Sequence, residues 1–157
     1  MDALISKQTV VFKELNESVY IRAIAWGISG NHNEVIISSE PIKPEGRPSE
    51  EKDYIFYTTE IYYKKQGIDT LFVYADGSSI GKEPTIFTKK IKIVPIKIST
   101  ADEAVDYEKN YKEYGLIKIT AYPQKWKKYY VQSNHQAVNL GGFFLLIKLN
   151  KFFSFGS

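Results

Sequence analysis

His32 and His135 are the only histidines among 157 residues, and the chain has no cysteine. Proton transfer, metal binding or nucleophilic attack would therefore have to be built from these two imidazoles together with carboxylates, tyrosines and lysines. The lack of cysteine removes thiolate zinc sites, a disulfide framework and a thiol nucleophile in one step. The two histidines stand 103 positions apart, so only the fold could unite them. Neither a His-x-x-x-His pair nor a phosphate-cradling glycine loop is present, and nothing in the sequence calls for a cofactor or a metal. The stretch Gly27-Ile28-Ser29-Gly30-Asn31 is no nucleophile elbow, because its second glycine comes one residue too early for Gly-x-Ser-x-Gly.

His32 itself follows Ser29-Gly30-Asn31 and precedes Asn33, residues that tolerate turn geometry. The favoured reading is a hairpin tip, with an exposed ligand contact as the alternative. Glu50, Glu51 and Asp53 could act with His32 as acid and base in a small hydrolase. They sit in the most polar part of the chain, where solvated charge is the plainer explanation.

Two aromatic groups offer binding chemistry instead. Tyr62, Tyr63 and Tyr74 lie in strand-like segments rich in tyrosine, and rings on one exposed sheet face make platforms for sugars or bases. Alternation sends neighbouring tyrosines to opposite faces, which favours core and cross-strand pairs worth about 0.2 to 1 kcal/mol each. The second group is Gln124 to Val131, where Trp126, Lys127 and Tyr129 interleave charge and rings as single-stranded nucleic-acid binding does. Only two arginines, Arg22 and Arg47, occur in the whole chain, and the first 113 residues carry a net −3. A nucleic-acid partner is therefore disfavoured.

The elements that must position these groups are mostly strands. An aromatic content of 15%, chiefly 12 Tyr and 9 Phe, suits a pleated surface. Val19 to Ile28 alternates with apolar residues on both faces, placing Trp26 in the core, and the run resumes at Asn33 to make a hairpin. Glu40 to Asp53 holds three prolines and reads as a long surface loop. Tyr54 to Tyr63 and Thr70 to Ala75, joined by a turn at Gly67, read as the two arms of a long hairpin. Thr85 to Thr100 changes phase at Val94-Pro95, the mark of a bulge or an edge strand. One helix is expected, over about 101–114. Thr100 and Glu103 form a capping box, Tyr107, Tyr111 and Tyr114 recur at helical spacing, and Gly115 follows the end.

The order of strands, one helix and another strand, with no βαβ alternation, predicts a mainly β domain: an antiparallel sandwich or open barrel with one packed helix. Its expected extent is residues 1–135. Residues 136–157 form a Phe-rich tail with five of the nine phenylalanines, read as a last strand, an interfacial membrane contact or a non-native end. The apolar run Gly141 to Ile147 is far shorter than the roughly 20 residues that span a bilayer. The last 44 residues carry six lysines and no acid, a charge asymmetry that counts as a partner signal only if the tail is native. The start of the sequence does not resemble a signal peptide, which leaves a cytoplasmic protein or an exported one whose signal segment is absent from this sequence. The expected function is that of a non-catalytic module recognising a protein or a carbohydrate through aromatic strands.

Overall fold

The computed structural model describes residues 3–27, 32–44 and 46–122; the cluster at Trp126, Lys127 and Tyr129, His135 and the Phe-rich tail lie outside them. Two four-stranded sheets pack face to face, as the sequence predicts for a sandwich. The first is an antiparallel meander of β1 (Leu4–Phe12), β2 (Glu17–Trp26), β3 (His32–Ser38) and β4 (Tyr54–Phe56). The second contains β5 (Glu60–Gln66), β6 (Thr70–Asp76), β7 (Lys92–Ile98) and β8 (Ile117–Thr120), in the order β7-β6-β5-β8.

Strand alternation builds the shared core. Val19, Ile21 and Ala23 of β2 and Val35 and Ile37 of β3 meet Ile61, Tyr63, Leu71, Val73 and Ile119 from the second sheet. Residues of opposite parity in the first sheet, Arg22, Ile24, Ile36 and Ile55, are also buried but lie outside this core. Both faces of the first sheet are therefore covered, as the two-sided alternation of β2 requires. Trp26 departs from expectation. It is 37% exposed, because it ends β2 opposite His32 and stacks on that imidazole with centroids 5.6 Å apart.

The expected single strand from Tyr54 to Tyr63 is two strands in different sheets. Tyr57, Thr58 and Thr59 interrupt it, with the Thr58 N–H turned back to the Phe56 carbonyl at 2.9 Å. A sandwich needs a point where the chain changes layer, and this is it. The long hairpin is consequently shorter than expected. It joins β5 to β6 across a turn where Gly67 holds φ 62°, a left-handed conformation that glycine adopts without a Cβ penalty.

One pairing corrects the all-antiparallel expectation, since β6 and β7 run parallel. Parallel neighbours need a crossover of a dozen or more residues, and residues 77–91 supply it. This crossover is stitched to the first sheet: Tyr57 N–H donates to Ser79 O at 2.7 Å, and Gly81 N–H to Ile55 O at 2.9 Å. A Cβ at Gly81 would lie 2.6 Å from the Ile55 carbonyl oxygen, so the close approach demands glycine. β7 is an edge strand, as Pro95 suggests, and its register with β6 is unbroken. The phase change at Val94-Pro95 is therefore a change of burial: Ile93 enters the sandwich core, while Ile98 joins a cluster on the sheet's other face.

Two covers close the outer faces. The polar loop after β3 is pinned over the first sheet by Arg22, whose side chain is 1% exposed. Its guanidinium donates to the carbonyls of Lys43, Pro44 and Gly46 at 2.8, 3.0 and 2.6 Å and to Glu34 at 3.0 Å. On the second sheet lies α1 (Ala101–Asn110), opened by the expected Thr100/Glu103 capping box. It ends four residues before the expected boundary, and a turn then leads to Gly115 at φ 69°.

Arg22→Met should destabilise the domain by about 3 to 5 kcal/mol in urea unfolding, because it strands a buried Glu34 charge and three loop carbonyls. Limited digestion of this variant with a glutamate-specific protease should show faster cleavage after the exposed loop residues Glu50 and Glu51. A second outcome concerns alkaline pH. Burial pushes the Tyr54 and Tyr63 hydroxyls up to about 12, helped at Tyr54 by nearby Glu83. Their contribution to stability is fully present below the ordinary tyrosine value near 10 and is lost as pH rises to about 12. The urea midpoint should fall across that window, and Tyr63→Phe should make the fall shallower.

Candidate functional site

The outer face of the second sheet carries an aromatic row. Lys118, Tyr62, Tyr74 and Ile96 lie side by side across β8, β5, β6 and β7. Helical spacing sets Tyr107 and Tyr111 onto this row. The Tyr62 ring lies 6.1 Å from Tyr107 and 5.4 Å from Tyr111, and Tyr74 lies 5.5 Å from Tyr107. Beneath the helix the Lys118 side chain is 4% exposed, with its ammonium 3.1 Å from Glu60, paired with Glu108 of α1, and 5.2 Å from the Tyr62 ring centre. The Tyr62 hydroxyl donates to Glu108 at 2.8 Å. Burial, reinforced by Glu60 and Glu108, raises its pKa far above the usual tyrosine range. Tyr62 therefore stays protonated and acts as a strut between sheet and helix.

Strand parity decides the fate of the tyrosines named from the sequence. Tyr63 points the opposite way from Tyr62, into the sandwich core, where its hydroxyl donates to Gln8. Tyr62 and Tyr63 are 5% and 4% exposed, so neither offers a surface to a ligand. Tyr74 does. It is half-buried and lines an open groove of about 480 Å³ between α1 and the sheet, walled by Tyr107 and Tyr114.

Four charged residues line this groove: Lys64, Glu103, Asp106 and Lys97; Lys97 pairs with the inward-facing Ala75 and its side-chain carbons lie against Gly77. The two carboxylates already hold internal partners. Glu103 accepts from the Ser99 and Thr100 N–H groups at 2.7 and 3.3 Å, and Asp106 accepts from Tyr114 at 2.6 Å and Asn110 at 2.7 Å. Those two donors hold the Asp106 carboxyl below its ordinary range, Tyr114 first. The same bond raises the Tyr114 hydroxyl, and burial raises that of Tyr107. Neither lysine has a carboxylate in ion-pair range among the described residues.

The hydrolase constellation is not brought together. His32 is exposed at the start of β3, while Asp53 precedes Tyr54, which pairs with Ile37 five residues further along. Asp53 is thus level with Ser38, and at about 3.3 Å per residue this separates it from His32 by roughly 20 Å along the strand. Asp53 accepts the Ser49 N–H at 2.8 Å and closes its own loop turn; Glu50 and Glu51 are exposed. Among the described residues no three His, Asp or Glu side chains gather as a metal site.

Sequence reasoning missed Lys64, Lys97 and the wall made by Tyr107 and Tyr114. The signal for the wall was present, since the spacing that identifies the helix puts those rings on one side. What was hidden is the surface this side faces. Compared with known proteins, the chain has no match: no family model, no curated protein and no solved structure corresponds to it.

Proposed function

We propose that this domain is a non-catalytic binding module that recognises carbohydrate through the tyrosine-lined groove between α1 and the second sheet. The observation that carries the proposal is the meeting of Tyr74, Tyr107 and Tyr114 around an open groove edged by polar side chains. Sugar rings present C–H faces to aromatic rings and hydroxyls to carboxylates and amines, and this lining offers both. Ring geometry narrows the shape of the ligand. Tyr74 and Tyr107 are tilted by 42°, and Tyr107 and Tyr114 meet at 76°. They form a cup, which suits a soluble oligosaccharide better than the flat surface of an ordered polysaccharide.

The protonation states of the lining support a role without catalysis. A general acid or base works best with a pKa near the working pH. Here the shifts run outwards: Asp106 is held lower, and Tyr107 and Tyr114 are raised. Glu103 is engaged by the helix cap. Such groups hold a ligand and do not shuttle its protons.

Calorimetric titration with soluble oligosaccharides tests the reading. Tyr114→Ala, at an exposed position, should keep the fold and weaken binding about ten-fold, the loss of roughly 1.4 kcal/mol. His32→Ala should leave affinity and stability nearly unchanged, and no cleavage product should accumulate. Binding that survives Tyr114→Ala but is lost with His32→Ala would place recognition at the Trp26–His32 end instead.

A further inference from the structure

We infer that the groove selects an amino sugar, whose ammonium is taken up by Glu103, Asp106 and the tyrosine rings beside them; this rests on the carbohydrate reading above and names the ligand class. The first ground is charge. Lys97 has the strand parity of the inward-facing Ala75 and its side-chain carbons lie against Gly77, which leaves Lys64 as the groove lysine on the same sheet face as Tyr74. Two carboxylates stand against that one cation. Their hydrogen bonds come from neutral donors: the Ser99 and Thr100 N–H groups at Glu103, and the Tyr114 hydroxyl and Asn110 amide at Asp106. Such bonds do not cancel a carboxylate's charge, and neither group has an ion-pair partner among the described residues. The charge left over for a ligand is therefore negative.

The second ground is placement. Glu103 precedes Asp106 by three residues and Tyr107 by four, so helical spacing sets both beside it on one side of α1. Asp106 in turn bonds Tyr114, whose ring meets that of Tyr107 edge-on with centroids 5.8 Å apart. Carboxylates and rings thus form one cluster. Burial first, then Tyr74, Glu103 and Asp106, raise the Tyr107 hydroxyl, in keeping with that proximity. A cation within about 6 Å of a tyrosine ring centre is attracted by the π face, and here the same cation also meets full negative charge.

The third ground separates an amino sugar from other cations and sets how many amines it brings. A sugar unit carries its amine on a rigid ring, so its C–H face can cover one tyrosine while its ammonium meets the next and the carboxylates. A flexible lysine stem offers no such face and loses more freedom on binding. Lys64 lies one row along the sheet from Tyr74, where it repels a second amine. The groove therefore takes one cationic unit, with a neutral unit beside it.

The test is calorimetric and uses the full chain with three probes: the disaccharide of N-acetylglucosamine, the same disaccharide with one acetyl group removed, and a trilysine peptide. The expected result is binding of the amine form about ten-fold tighter than the acetylated one, the size of one cation–π contact strengthened by charge. Glu103→Gln combined with Asp106→Asn should abolish that preference, the glutamine preserving the helix cap. Lys64→Gln should widen it. Asp102→Asn, in the exposed first turn of α1 and outside the groove lining, should leave it unchanged, and circular dichroism checks that each variant is folded. Equal affinity for amine and acetylated forms would overturn the inference while leaving the carbohydrate reading in place, as would a preference that survives the double variant. Trilysine binding as tight as the amino sugar, with the same dependence on Glu103 and Asp106, would overturn both. So would amino-sugar binding unaffected by Tyr114→Ala, or no binding of either saccharide.

Discussion

Two buried cations hold the architecture together, and they do so by the same geometry. Arg22 pairs across the strands with Ile36 and bonds Glu34, two residues away on that partner strand; Lys118 pairs with Tyr62 and bonds Glu60, again two residues away. Each cation then reaches out of its sheet to the cover above it. Arg22 takes three loop carbonyls, and Lys118 takes Glu108 of the helix. A sandwich buries only its inner faces by itself, yet here the outer faces also carry large apolar residues such as Ile36 and Tyr62. Something must roof them. A buried ion pair adds little net stability over an apolar replacement of like shape, while a broken one is costly. These pairs therefore serve mainly to select one placement of loop and helix out of many that would bury similar area.

The sequence shows local features well and layering poorly. The capping box at Thr100 and Glu103, the β5–β6 turn at Gly67 and the edge character of Pro95 are each set by a few adjacent residues, and each is found where expected. The break at Tyr57 to Thr59 is different, because Tyr, Thr and Ile favour strand on either side of it. Propensity cannot register a change of sheet. Trp26 was misplaced for a related reason: alternation assigns a face but says nothing about how near a residue lies to the end of the sandwich.

The groove was legible only in halves. Tyr74 was visible as one tyrosine among several, and Tyr107 and Tyr114 as helix periodicity. Their meeting depends on where a helix lands after a crossover through the other sheet, a long-range consequence that no spacing in the chain encodes. Lys64 reads as an ordinary surface lysine until its neighbours are known. Conversely, His32 and the loop carboxylates drew notice through residue type alone, and the register of β3 with β4 sets them at opposite ends of a strand.

The crossover from β6 to β7 also governs how the domain can assemble. Because its backbone is bonded to β4 at Ile55 and to Tyr57 just beyond it, β7 reaches its parallel partner only along a path that the first sheet helps to define. Parallel, non-local pairing of this kind forms late, since the entropy of closing the loop is lost before the contacts are gained. The second sheet therefore cannot complete itself before the first exists. Two layers that look separable in architecture are a single cooperative unit in folding, and no cut between them would leave an autonomous half.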